Sequence, residues 1–433
     1  MIYPVQRFMQ QQKAGGIVLG ISVLIALFLA NSPWDETYFS FFDHKFGFQF
    51  DDKSYLNYSI HHWINDGLMA IFFFVVGLEL KREIIAGELS NPRKAILPIS
   101  AAIGGMVMPA VIYFLFNPTG EESAGWGIPM ATDIAFALGV LYTLGTKTPL
   151  SLKVFLAALA IVDDLGAVLV IAFFYTSDIS IANLLIGFGF IIIMYIGNRI
   201  GIRHTLFYLI LGVAGVWTAF LLSGVHSTIA AVLAAFTIPA DVGLGEGQYI
   251  SKIRNSIDQF TVIDPNGKPT LSEKQLAILE KIKKDTKLAT PPLQRLEQAL
   301  HQFVIFLVIP IFALANAGVS MKDIEIETLF SNNVTVGVAC GLFFGKFIGI
   351  SGTSILLVKT RIASFPQGMN LRNLFGVSLL ASIGFTMSLF IASLAFQNPD
   401  NIMQAKIGIF TASIVGGIIG FIVLNKEDAS KKD

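Results

Sequence analysis

The chain has 433 residues, and its 30 basic residues balance its 30 acidic ones, so a zero net charge gives no reason to look for a nucleic-acid partner. A composition of 54% hydrophobic against 14% charged residues excludes an ordinary soluble core and describes a chain that crosses a membrane many times. The single cysteine, Cys340, lies in an apolar run, which excludes a disulfide framework and leaves a small packing residue.

Arg7 and Lys13 precede an apolar segment from Gly16 to Ala30. Cleavage after Ala30 would place Phe28 where a small residue is needed, so the segment reads as a first, uncleaved span. An acidic stretch follows through Asp35, Glu36, Asp43, Asp51 and Asp52, and within it Phe46-Gly-Phe48-Gln-Phe50 alternates as a strand does. Residues 35–56 are predicted to form a small extramembrane, periplasmic hairpin; such a unit is marginal alone in water, which points to a homodimer built through it.

His61-His62-Trp63-Ile-Asn65-Asp66-Gly67 leads into a span over Leu68 to Leu78, which ends in the mixed-charge run Glu79-Leu-Lys81-Arg82-Glu83. Ala95 to Phe116 is apolar, with Gly104-Gly105 allowing close helix packing. After an acidic turn at Glu121 and Glu122, the span Trp126 to Leu144 carries Pro129 and the triplet Ala131-Thr132-Asp133 in its middle.

The run Val154 to Phe173 holds Ala158-Leu-Ala-Ile-Val-Asp163-Asp164-Leu-Gly166 and puts two adjacent carboxylic acids near mid-membrane. Each ionised acid there costs at least a few kcal/mol, so an ion or proton site is the default explanation and a structural ion pair the lesser one. Neighbours on a helix point about 100° apart, so Asp163 and Asp164 face adjoining sectors and need separate partners.

Further apolar runs fall near Ile181 to Ile200, Leu206 to Ala219 and Val225 to Pro239. Residues 241–292 are polar and mixed in charge, with a turn signal at Asp264-Pro-Asn-Gly267. Ser272-Glu-Lys-Gln275 reads as a capping box opening a short amphipathic helix, and the whole stretch as a cytoplasmic insertion between spans eight and nine of a single transporter domain over 1–433. Spans resume at Phe303 to Ala317, Val334 to Val358, Leu374 to Phe396 and Ile407 to Leu424, which brings the expected number to about twelve.

Basic residues fall in alternate loops: Lys81, Arg82, Arg93 and Lys94; Lys147 and Lys153; Arg199 and Arg203; Lys281, Lys283 and Lys284; Lys359, Arg361 and Arg372; Lys431 and Lys432. The intervening loops carry Asp35, Glu121, Glu122, Asp178, Asp323, Glu325 and Asp400, an alternation that predicts both termini on the cytoplasmic side.

Polar groups inside spans narrow the function. Besides the two acids they are Asp66, Thr132, Asp133, His226, Lys346 and Thr386. A buried lysine needs a carboxylate or helix C-termini beside it. Near a span end, His226 fits packing as well as function. Two spans look broken, at Pro129 to Asp133 and at Ser382-Ile-Gly384-Phe-Thr386-Met-Ser388, each the middle of a group of three spans in its half of the chain. Paired interruptions of this kind mark a transporter's site, where Asp133 can offset exposed helix N-termini and Lys346 exposed C-termini.

Sodium is a hard cation that takes oxygen ligands, and carboxylates that also bind protons make sodium and protons competitors for one site, the logic of an antiporter. Neither an enzyme nor a cofactor is called for. An intramembrane aspartyl protease needs facing acids from different helices, and the chain has no Gly-x-Gly-Asp motif. A cation channel gives no reason for a buried lysine among the acids.

Several motifs now carry a resemblance: Trp63-Ile-Asn-Asp66-Gly, Val76-Gly-Leu-Glu79-Leu-Lys-Arg-Glu83, Ala131-Thr-Asp133-Ile-Ala-Phe-Ala-Leu-Gly-Val, the Asp163–Asp164 stretch, Phe312-Ala-Leu-Ala-Asn-Ala-Gly-Val-Ser320 and Ile383-Gly-Phe-Thr-Met-Ser-Leu-Phe-Ile-Ala-Ser393. Together, over nearly the whole chain, these are similar to the NhaA-type sodium/proton antiporters. The resemblance implies an all-α polytopic fold of twelve spans with inverted repeats and two broken helices crossing at mid-membrane, in the bacterial cytoplasmic (inner) membrane among its lipids. It implies export of Na+, and of Li+, driven by entering H+ through alternating access, with Asp163, Asp164 and Thr132 at the ion and Asp133 and Lys346 balancing charge. It also implies a pH-sensing cluster of Glu79, Lys81, Arg82, Glu83, Arg295, Glu297 and His301. Gln298 stands where the family often has histidine, which leaves the pH set point open, and the 241–292 insertion exceeds that of compact members.

Overall fold

The structure is a computed structural model that describes residues 2–50, 53–176, 179–263, 270–320 and 332–426. The turn expected at Asp264–Gly267, together with Asp51, Asp52, Asp178, Asp323, Glu325, Lys431 and Lys432, lies outside the described residues.

The apolar runs fold as helices, because away from water the backbone must satisfy its own hydrogen bonds. Among the described residues, eight helices are long and apolar enough to cross a membrane, and ten if each of two bent pairs counts as one span. Two further expected spans fall outside that number. Helix Met69–Ala86 carries Glu79, Lys81, Arg82 and Glu83 near its end, and Ser227–Thr237 is only 11 residues long.

The two interruptions are present. A 3₁₀ segment, Glu121–Met130, ends one residue after Pro129, residues 131–133 run without helix, and Ile134–Thr143 resumes. In the second half, Leu371–Leu380 and Phe385–Ala395 meet at a 46° bend. Helix Leu150–Phe174 runs unbroken past both acids. It packs against Pro92–Phe116, which in turn lies against Lys346–Lys359. This last contact depends on glycine: a Cβ at Gly349 would meet the carbonyl of Gly104, and one at Gly104 would meet the carbonyl of Gly349. Two backbones this close bring Lys346 within reach of the acid-bearing helix.

The hairpin is smaller and later than expected. Strands β1 (Lys45–Phe50) and β2 (Lys53–Ser59) pair antiparallel, whereas Asp35–Asp43 is a helix. Two acids in its first turn suit the positive end of a helix, and Tyr38 and Phe42, one turn apart, bury the same face. The 241–292 stretch contains two helices, not one. Ser272 and Gln275 do form the capping box of Glu273–Ala289, and Glu246–Thr261 packs antiparallel against it. The first was missed because its apolar residues are spread between Lys252, Arg254 and Asp258.

Candidate ion site at the crossing of the broken helices

The two interrupted segments meet and satisfy each other's backbone. The amide of Asp133 donates to the carbonyl of Ile383 at 2.7 Å, and the Thr132 hydroxyl donates to the carbonyl of Ala381 at 2.9 Å. In return, the Ser388 hydroxyl donates to the carbonyl of Ile128 at 2.8 Å. Broken helices leave orphan amides and carbonyls, and here one interruption supplies the partners the other lacks.

Asp133 sits where two helix N-termini converge. One carboxylate oxygen accepts the amide of Phe136 at 3.0 Å, capping Ile134–Thr143; the other accepts the Thr386 amide at 3.1 Å and the Thr386 hydroxyl at 2.6 Å, at the start of Phe385–Ala395. A negative charge at two positive helix ends is the arrangement expected for it. Thr386 was noticed in the sequence without a role, and the structure makes it the partner of Asp133. Ser413 went unnoticed as one serine in an apolar run; its hydroxyl accepts the amides of Gly384 and Phe385 at 3.2 and 3.4 Å.

Asp163 and Asp164 lie alongside, and both are fully buried. Lys346, also fully buried, places its ammonium 2.5 Å from Asp163 Oδ2. The lysine therefore meets a carboxylate, the first of the two partners expected for it. It follows directly on a π-turn, Gly341–Gly345, a wider turn often found at functional positions. Thr132 borders Asp163. Among the described residues, no partner meets the hydrogen-bond geometry at Asp163 Oδ1, beside Thr132, or at either carboxylate oxygen of Asp164. Buried carboxylate oxygens left without a donor are costly, so these three are the atoms of the crossing that most need an explanation.

At one end of the same bundle the predicted charge cluster divides. Glu79 lies 3.3 Å from the His301 imidazole, and Arg82 bonds Glu297 and, at 3.0 Å, Glu83. These five residues join helix Met69–Ala86 to Pro292–Phe303. The other two turn away. The Lys81 ammonium donates to the carbonyls of Phe236 and Ile238, at the end of Ser227–Thr237, and Arg295 donates to the carbonyls of Arg203 and Lys287. Gln298 is exposed. Spacing along one helix could not separate the two groups, because the partners come from elsewhere in the chain.

The profile of the family described as Na+/H+ antiporter 1 matches residues 6–424. The chain belongs to that family. It is 47% identical to Na(+)/H(+) antiporter NhaA 2 of Syntrophotalea carbinolica over 99% of this chain and 97% of the relative. It is 46% identical to Na(+)/H(+) antiporter NhaA of Acidithiobacillus ferrooxidans over 100% and 99%, and 46% identical to its namesake of Oleidesulfovibrio alaskensis over 98% and 94%. With its apolar helices, membership makes this a multi-pass membrane protein and agrees with the resemblance read from the motifs.

Three other polar groups in this family member have partners of their own. The Asp66 carboxylate accepts the Ser227 hydroxyl at 3.0 Å and lies 3.3 Å from His62. His226 is 3.0 Å from the carbonyl of Tyr175, a local contact that fits packing. Asn316 donates to Asn65 at 2.9 Å and is itself 3.1 Å from His61. The motif read in the sequence contained Asn316, but nothing in the local pattern marked its partners.

Proposed function

We propose that the chain is a secondary active transporter that exports Na+, and also Li+, in exchange for entering H+, by alternating access. The observation that carries this is the set of oxygens on Asp163 and Asp164 that lack a partner among the described residues, beside the single ammonium of Lys346. One ammonium balances one carboxylate. The second negative charge needs a proton or a cation of its own, so loading one displaces the other. Thr132 and the non-helical carbonyls add ligands of the kind an alkali ion takes. Asp133, held by two helix N-termini, keeps the interruption open without consuming the lysine.

The names of the relatives support sodium and protons as the exchanged ions. Twelve crossings with inverted repeats, both termini in the cytoplasm and residence in the bacterial cytoplasmic membrane complete the proposal, supported by the alternation of basic loops and by the paired interruptions. A homodimer through the hairpin remains part of it.

Direct competition has a thermodynamic signature. Below the apparent pKa of the pair, lowering the pH by one unit should weaken sodium binding about tenfold for each proton displaced. The test is calorimetry in detergent in two buffers of different ionisation enthalpy, where proton release shows as a buffer-dependent heat. Sodium binding without proton release across the range would overturn the proposal.

We also propose that the cluster of Glu79, Arg82, Glu83, Glu297 and His301, with Lys81 and Arg295 at its edge, sets the pH response. The His301 imidazole is tied to the Glu79 carboxylate on another helix, so a change of charge at either is felt across the helix pair. Glu297→Gln removes one of the two carboxylate partners of Arg82. It is expected to displace the midpoint of the pH–activity curve while sodium affinity at the optimum stays within about twofold. Vesicle exchange measured across pH checks this, and a changed affinity with an unmoved midpoint would place Glu297 in the ion path.

A further inference from the structure

The helix pair Glu246–Thr261 and Glu273–Ala289 takes no part in the site, and its surface is divided by chemistry. Its inner stripes are Tyr249, Ile253, Ser256 and Phe260 on one helix and Gln275, Ile278, Ile282 and Asp285 on the other, all buried or half-buried. In an antiparallel pair, residues one position after the inner stripe fall on the same side on both helices, because reversing the chain and facing the partner each invert the sense of rotation. That side carries Ile250, Ile257, Leu276 and Leu279, which are 51%, 50%, 50% and 39% exposed. The opposite side carries Lys252, Asn255, Gln259, Lys274, Lys281 and Lys284.

The pair is pinned at its base to the ends of membrane helices. The amides of Gly243 and Leu244 donate to the carbonyl of Leu288 at 2.9 and 3.1 Å, and the amide of Leu293 donates to the carbonyl of Pro239. Lys81, Arg203 and Arg295 surround this base. The apolar side itself contains Arg254 and Lys283, whose long stems can lie on an apolar surface while their charges reach outward. Apolar residues interleaved with cations, starting at the level where spans end, match the boundary between acyl chains and anionic headgroups.

We propose that the helix pair lies on the bilayer with Ile250, Ile257, Leu276 and Leu279 turned into the interface, and that the anionic lipid surface is its partner. The charge complementarity and the attachment to span ends favour lipid over a second copy of the chain, which would have to bring Arg254 and Lys283 against their own counterparts.

The full-length protein, with Cys340→Ala to remove its only thiol, can be labelled with bimane at single sites and reconstituted into vesicles containing phosphatidylglycerol with brominated acyl chains. Labels at Ile257→Cys and Leu279→Cys should lose fluorescence strongly. Labels at Asn255→Cys and Lys281→Cys, at similar heights on the other side, should lose little. Replacing phosphatidylglycerol by phosphatidylcholine, or adding high salt, should reduce the loss. Equal quenching on both sides, or none on either, would overturn the placement. Quenching independent of lipid charge would overturn the anionic surface as partner, and efficient crosslinking of two protomers through Ile257→Cys would assign the face to a second copy.

Discussion

Asp164→Asn is expected to abolish sodium-driven proton movement in everted vesicles, down to the level of vesicles without the protein, while the protein still inserts and folds. The substitution keeps the shape of the side chain and removes the one carboxylate, among the described residues, whose two oxygens are both buried and unpartnered. Folding is spared because Asp164 accepts no hydrogen bond that asparagine would lose, and a neutral amide is cheaper to bury than a carboxylate. The measurement is fluorescence of a pH-sensitive dye on addition of sodium, with yield and melting temperature as controls. The same variant should show sodium binding without buffer-dependent heat, or none at all, in calorimetry. Near-normal exchange would remove Asp164 from the ion path, and competition between sodium and protons would then have to be sought elsewhere.

Lys346→Ala is expected to damage stability as well as transport. It leaves Asp163 buried without its ammonium, and breaking a buried pair in this way costs about 3–5 kcal/mol. The melting temperature in detergent should fall by several degrees. The double variant Lys346→Ala with Asp163→Asn removes the orphaned charge and should recover much of the loss, although exchange stays impaired. Recovery of this kind distinguishes the ion pair from simple loss of the lysine's packing volume, which the double variant leaves uncorrected. An unchanged melting temperature in the single variant would show that Lys346 does not hold the charge of Asp163. The close approach of Gly104 and Gly349 gives the lysine little freedom to find another partner.

By itself, the sequence determined where membrane helices lie, that two of them break, and which charges stand inside them. Each of these is a local property. A run of apolar residues long enough for a bilayer has few alternatives to helix, and Pro129, Gly384 and the hydroxyl residues around them interrupt it wherever the chain later packs. Asp163, Asp164 and Lys346 stood out because an ionisable group in such a run is rare enough to need a reason. The local signal ran out where two patterns overlapped. Asp35–Asp43 fell inside the expected hairpin only by lying next to the alternation at Phe46 to Phe50, and the burial of Tyr38 and Phe42 on one face decided for helix.

Only the tertiary structure decided which charge answers which. Lys346 meets Asp163 across 183 positions of sequence, Thr386 meets Asp133 across 253, and Glu297 finds Arg82 while Arg295, two residues earlier, turns to the carbonyls of Arg203 and Lys287. Such pairings depend on helix rotation and on how closely two backbones approach, and no spacing within a single segment records either. The unpartnered oxygens of Asp164 are the clearest case: any sequence shows an acid in an apolar run, but whether the fold supplies it with a donor or leaves it for an ion is settled by packing alone.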